Sequence, residues 1–317
     1  MREPLLLAIV FLFGVPQIAF GQGGPATPRV ALLGLSLEKH WKEAFASALR
    51  QGGYGNVTIV DKGELQAYSE LAPATQELLQ SKVNVIVAYG TRAPAEAARA
   101  TKTIPIVIVG GDPVTMGLAK SHSQPGGNVT AISARNVDLY GKQVELLREF
   151  VPKMKRLAIL LNPESAEEVK GFAILKKESA SLGIEARAIE VRSPVGLEPA
   201  FAANAQWRPD GLLMIPSTLF IAHRERIAAL AIKHGLPSVT RRREYVQSGL
   251  LASYGPNIAQ LFHRAGAYTV RILKGQPVGE LPIDQAEEFE LVVNEKTANS
   301  LGLKIPDRVR FRAAIVQ

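Results

Sequence analysis

Residues 104–133, IPIVIVGGDPVTMGLAKSHSQPGGNVTAIS, decide how this chain folds. The apolar run Ile106 to Val109 is closed by Gly110-Gly111, and a short apolar run bounded by glycine predicts a strand buried on both faces of a parallel sheet. Asp112-Pro113 then predicts a helical start, with Asp as the cap and Pro where its missing N–H costs nothing. Pro125-Gly126-Gly127 interrupts the chain before a last short strand, Asn128 to Ser133. A second series of alternating strands and helices begins beyond Ser133, so residues 104–133 are the end of one α/β unit and the exit into another.

Upstream, Arg29 to Leu35, Asn56 to Val60 and Val83 to Tyr89 read as strands. They alternate with helices over Lys39 to Arg50, Leu65 to Leu79 and Ala93 to Ala100. Downstream, strands at Arg156 to Leu161, Glu185 to Val191, Asp210 to Ile215, Pro237 to Thr240 and Leu250 to Tyr254 repeat the plan. Helices separate them, among them Ala166 to Leu182 and Ile221 to His234. Alternation at this interval implies right-handed crossovers and two parallel sheets. The tail holds an amphipathic helix, Ile258 to Leu273, with Leu261, Ala265, Tyr268 and Ile272 on one stripe. An extended segment, Leu281 to Val293, comes after it. Neither has a partner of its own, so both must return to the units already built, and the chain crosses between them near residues 134, 255 and 286. The expected fold class is therefore α/β, two doubly wound parallel-sheet lobes joined by a three-crossover hinge. The expected lobes are 22–133 plus 255–285, and 134–254 plus 286–317.

Residues 1–21 stand apart. Arg2, the apolar run Leu5 to Val15 and the small residues of Ala19-Phe20-Gly21 predict a secretory signal peptide cleaved after Gly21 and a periplasmic protein. The chain has no cysteine, which excludes thiol catalysis, cysteine-based metal sites and a lipid anchor at the cleavage site. A net charge of +8 is spread along amphipathic helices without an aromatic–basic motif, so no nucleic-acid partner is expected.

In open α/β sheets ligands bind beyond the carboxyl ends of the strands where strand order reverses. Those loops carry Ser36 and Gly90-Thr91 in the first unit, and Asn162 and Ser217 in the second. Free N–H groups and the positive dipole end of the helices they open suit an anion there. Equally, each small polar residue has the chemistry of a helix cap. Asp112 is explained as a cap in its Gly-Gly-Asp-Pro setting and is kept as a ligand contact. Arg241-Arg242-Arg243-Glu244 lies at the carboxyl end of a strand and can pair an anionic ligand bidentately, so Arg243 and Glu244 enter the candidate set, with a solvated run in which Glu244 neutralises one arginine as the competing reading. Trp41, Tyr89, Phe220 and Tyr254 are candidates for an apolar wall, with core packing as the competing reading. Glu167 and Glu168 read as a solvated helix face. There is no G-x-G-x-x-G, Walker-type or G-x-S-x-G motif, and the five histidines lack metal-ligand spacing. No catalytic residue, cofactor or metal is expected. The ligand reading is a carboxylate-bearing molecule held by Thr91 and Ser36 from one lobe, with Ser217 and the arginines closing from the other.

Residues 104–133, together with REYVQSGLLASYGPNIAQLFHRAGAYTVRILKGQPVGELPI at 243–283 and FELVVNEKTANSLGLKIP at 289–306, resemble the ABC-transporter substrate-binding protein family with tryptophan- and phenylalanine/tyrosine-binding members. The resemblance implies the type I periplasmic binding protein fold and a small ligand, such as an amino acid, enclosed between two lobes. It also implies delivery to a membrane ABC permease, with a monomer expected. The same module can serve as a sensor for an envelope receptor or kinase. The chain departs from the family pattern at Arg92, Leu250 and Ala252, two of which are expected near the cleft.

Overall fold

The computed structural model describes residues 27–134 and 139–317, so the expected signal peptide lies outside the described residues. Among the described residues thirteen strands form two sheets. The first is built from β1 (Arg29–Leu35), β2 (Thr58–Leu65), β3 (Val85–Gly90), β4 (Ile106–Gly110) and β5 (Val129–Ser133). The second uses β6 (Arg156–Leu161), β7 (Glu185–Glu190), β8 (Gly211–Met214), β9 (Ser238–Thr240) and β10 (Ala252–Pro256). The tail adds β11 (Asp284–Gln285) to the first sheet, and β12 (Phe289–Asn294) and β13 (Ala314–Val316) to the second. The orders are β11-β5-β4-β3-β1-β2 and β13-β12-β10-β9-β8-β6-β7. Every pairing is parallel except β10 with β12, where Tyr254 faces Leu291.

Strands β1, β3 and β4 are buried along nearly their whole length because helices cover both faces of the sheet. On one face Val30, Leu32, Val87 and Val109 pack with Trp41, Phe45 and Phe262; on the other Ala31, Leu33 and Ile108 pack with Leu78 and Ala97. The helix Ile258–Leu273 belongs to this first lobe although the strand before it belongs to the second sheet. Asn257 Oδ1 accepts from Gln260 N at 3.2 Å and caps it. Its buried stripe is Leu261, Phe262, Ala265 and Thr269, one position round from the expected Tyr268 and Ile272, which are only partly buried. Each fully buried Leu or Phe contributes about 1.5–3 kcal/mol, enough to hold an orphan helix on the lobe that receives it.

The chain thus passes between the sheets three times: after β5, between β10 and the helix at Ile258, and between β11 and β12. β11 lies parallel to β5, with Asp284 opposite Ile132 and Gln285 opposite Ser133.

Three local expectations are corrected, and one strand that the sequence did not suggest is added. Asp112 caps a turn and starts no helix: its Oδ1 accepts from Val114 N at 2.9 Å, but Gly117, at φ +72°, ends the turn at once. β2 runs on to Leu65, because its charged residues tolerate an exposed edge and Lys42 ties down Asp61 at 2.8 Å; the helix behind it starts only at Leu71. The helix read from Ile221 is two, Thr218–Ile221 and Arg224–Lys233. Finally, the tail's last strand, β13, pairs with β12, a pairing too short to leave a pattern in the sequence.

Candidate functional site

In both sheets the strand order reverses beside the first strand of its unit: β1 lies between β3 and β2, and β6 between β8 and β7. The loops leaving the carboxyl ends of β1, β3, β6 and β8 therefore converge, and the two sets face each other across a cavity of about 120 Å³. The first lobe contributes Leu35, Tyr68, Tyr89, Gly90, Thr91 and Arg92; the second contributes Ser165, Glu167, Glu168, Ser217, Arg241 and Arg242; Ala134 and Pro256 close it near the crossings.

The Gly90-Thr91 turn depends on its glycine. Gly90 has φ +84°, a conformation that a side chain disfavours, and it turns the chain from β3 directly into the helix Arg92–Ala100. Thr91 does not cap that helix with its side chain. Its hydroxyl instead donates to Glu167 Oε2 across the cleft at 3.0 Å, leaving first-turn N–H groups of the helix without a side-chain acceptor. Arg92, one of the departures from the family pattern, stacks its guanidinium 4.1 Å above the Tyr68 ring and donates to the Glu164 carbonyl at 3.4 Å. The other two departures, Leu250 and Ala252, are fully buried in the second lobe's core and do not line the cavity, so one departure bears on the cleft instead of two.

Opposite, the helix Ala166–Ser181 starts with Ser165 as its cap. Glu168 is no solvated residue. It is 4 % exposed, and its Oε2 accepts from Asn162 N at 2.7 Å. Burial pushes its carboxyl up to about 7, against the opposing pull of the Asn162 N–H, Ser165 and the Arg241 charge, with Glu167 adding to the rise. Burial likewise raises the Tyr140 phenol, which is hydrogen-bonded to Arg241. Arg242 and Arg243 are committed to Glu244 and Glu290, at 3.4 and 2.9 Å; Arg241 between the cavity and Tyr140 has no such carboxylate partner among the described residues. One wall thus offers a guanidinium with no ion-paired carboxylate among the described residues, together with two carboxylates.

Of the residues expected at the site, Gly90, Thr91 and Ser217 line the cavity, with Ser217 Oγ also accepting from Phe220 N at 3.4 Å as a helix cap. The others lie off the wall. Ser36 is one residue past Leu35, in the left-handed region at φ 50°, with its N–H donating to Leu65 O. Asp112 Oδ2 faces His122 Nε2 at 3.1 Å. Asn162 Oδ1 closes a turn onto Glu164 N at 3.0 Å. Arg243 bridges to Glu290, Glu244 is buried beside Arg242, and Tyr254 packs on Phe289 at 6.0 Å between centroids. Trp41 and Phe220 are fully buried, which leaves Tyr89 as the aromatic on the wall from that set. The acidic pair was missed in the sequence, yet Ser165-x-x-Glu168 is a capping-box pattern; here the glutamate turns away from the cap to Asn162.

Two mostly parallel sheets, three crossings and a charged cleft at both switch points define a protein of the type I periplasmic binding class. The chain belongs to the ABC transporter substrate-binding protein family, whose model matches residues 36–317. That family consists of substrate-binding proteins, not enzymes, and its members work outside the cytoplasm with ABC permeases. A tyrosine-binding protein of Clostridioides difficile (strain R20291) is 28% identical over 278 residues, 85% of this chain and 78% of that protein. A conserved domain protein of Vibrio cholerae O1 biovar El Tor strain N16961 superposes with a TM-score of 0.84 at 26% identity, covering 92% of this chain and 100% of that one. A Streptococcus pneumoniae ABC domain in complex with L-Trp superposes with a TM-score of 0.80 at 22% identity, over 91% of this chain and 100% of that one. Among the described residues no helix is long and apolar enough to cross a membrane.

Proposed function

We propose that this protein is an exported solute-binding protein that closes its lobes on a small zwitterion of the α-amino-acid kind and presents it to an ABC-type permease. The observation that carries the reading is the pairing of opposite charges on one cavity wall: Arg241 without a carboxylate partner among the described residues, beside Glu167 and buried Glu168. A ligand carboxylate fits Arg241 and the N–H groups of the Gly90-Thr91 turn, where the helix dipole adds to the attraction. A ligand ammonium fits the two glutamates. An uncharged sugar would supply neither the carboxylate that suits Arg241 nor the ammonium that suits the glutamates. The tyrosine-binding relative and the L-Trp complex support amino acids as the ligand class.

Closure is the mechanism by which binding becomes a signal. Contacts across the cleft already include Thr91 with Glu167 and Glu38 with Arg224 at 3.7 Å. A ligand that touches both walls favours the closed arrangement by its differential affinity for it, and a permease then selects that arrangement. A thermal-shift screen of the chain from Gln22 against amino acids, small carboxylates, polyamines and sugars tests the ligand class. An α-amino acid should give the largest shift, confirmed by calorimetry. A protein that responds to sugars alone, or to polyamines alone, would refute it.

A further inference from the structure

We infer that Arg242 restricts the ligand class: its guanidinium fills an aromatic cage at the back of the cleft, so that the site takes amino acids with short, non-aromatic side chains. This rests on the amino-acid reading of the cleft and narrows it.

The cage is a continuous cluster of rings. Trp41 lies 5.2 Å from Tyr89 and 5.8 Å from Phe262 between centroids, and Tyr89 lies 5.7 Å from Phe262. Trp41 and Phe262 belong to the first lobe's core, and Tyr89 packs against it from the cavity wall. Arg242 comes from the second lobe, at the end of β9, and places its Cζ 4.7 Å from the Trp41 ring, 5.8 Å from Tyr89 and 6.0 Å from Tyr245. Arg242 is on the cavity wall, whereas Trp41 and Tyr245 are fully buried and are not. The guanidinium thus lies over the Trp41 face, on a residue that itself lines the cavity. That is the place where a ligand ring entering from the cleft would stack.

The hydrogen bonding of Arg242 is consistent with a plug. Its Nε is tied to Glu244 Oε2 at 3.4 Å, while Nη2 is sealed from solvent with no hydrogen-bond acceptor among the described residues. A buried guanidinium edge without an oxygen partner is tolerated where ring faces meet the charge instead. Glu244 and, at 3.9 Å from it, His40 complete the charged surroundings. The cavity left in front, about 120 Å³, lies between Arg242, Arg241 and the Gly90-Thr91 turn. A flat ring stacked on Trp41 and the guanidinium now there compete for the same volume.

Calorimetric titration of the wild type, Arg242→Ala and Arg242→Met with L-alanine, L-serine, L-tyrosine and L-tryptophan tests the inference, with indole as a probe of the cage alone. The wild type should bind alanine or serine at least tenfold more tightly than tyrosine or tryptophan, and should not bind indole. Arg242→Ala should shift that ratio at least tenfold toward the aromatics and acquire indole binding. Arg242→Met, which keeps the volume but not the charge, should stay selective for short side chains. Wild-type protein that prefers tyrosine or tryptophan overturns the inference, whatever the variants do. So does a folded Arg242→Ala protein with an unchanged ratio and no indole binding. If the wild type binds none of the four amino acids while Arg242→Ala binds indole, the amino-acid reading fails and the plugged cage stands.

Discussion

Raising the pH from 6 to 8 should strengthen binding of an α-amino acid by about tenfold, and Glu168→Gln should abolish that dependence. Glu168 is buried on the cavity wall with its carboxyl pushed up to about 7. A ligand ammonium beside it favours the carboxylate, so binding expels the proton that the free site holds. With a free-site pKa near 7 and a much lower one in the complex, roughly one-tenth of the sites are ready at pH 6 and roughly nine-tenths at pH 8. The ratio is about tenfold in Kd, or ~1.4 kcal/mol. The groups facing Glu168 are Glu167, Arg241, Ser165, Tyr140 and Tyr245; both phenols are raised by burial and stay neutral across this window. Calorimetry at pH 6, 7 and 8, in buffers of different ionisation enthalpy, reads both the affinity and the released proton. An affinity that is flat or falls with rising pH, or an equal slope in Glu168→Gln, would refute the reasoning.

The same shift acts on stability with the opposite sign. Folded Glu168 holds its proton between about 4.5 and 7 where the unfolded chain has lost it, so this group's contribution to stability falls as pH rises through that window. The full cost is roughly 3 kcal/mol above pH 7, and Glu168→Gln should therefore raise the ligand-free Tm at pH 8 but not at pH 4; a lowered Tm at pH 8 would count against it. Thr91→Val removes the 3.0 Å bond to Glu167 and should weaken ligand binding by about ten- to a hundredfold. Arg243→Ala, whose bond to Glu290 lies off the cavity wall, should change it by less than about threefold in the same titration. Gly255→Ala, at the second crossing, would put a Cβ 1.9 Å from the Arg241 carbonyl oxygen. It should cost at least about 1–3 kcal/mol in chemical denaturation, and an unchanged midpoint would mean that the crossing yields. Mass spectrometry of exported protein should find Gln22 at the N-terminus, and an uncleaved form confined to the cytoplasm would refute export.

Much of the fold was legible because its signals are local. Apolar runs such as Ile106 to Val109 can be buried on both faces only in a covered parallel sheet, and a helix such as Ile258–Leu273, with no unit of its own, must return to an earlier one. The switch-point rule points to loops from which Gly90, Thr91 and Ser217 reach the cavity wall, while Ser36 and Asn162, chosen by the same rule, lie off it. The short tail pairings and the break between Ile221 and Arg224 were not legible, since a two- or three-residue strand takes its conformation from its neighbour instead of its own pattern.

Composition and order by themselves determined two α/β units, their crossings and the strand-end loops that face the cleft, for these are set by periodicity and chain connectivity. Which charges face the cavity was decided by tertiary structure. Past β9 the backbone is extended at Arg242, with φ −123° and ψ 126°, so successive side chains leave on opposite sides. One phase sends Arg242 into the rings of the other lobe and Arg243 away to Glu290; the other would exchange them. Similarly, Glu167 and Glu168 are about 100° apart on one helix, and only its docking angle makes one bridge to Thr91 and buries the other against Asn162. Three adjacent arginines and two adjacent glutamates read alike along the chain, and the packing of the second lobe against the first distinguishes them.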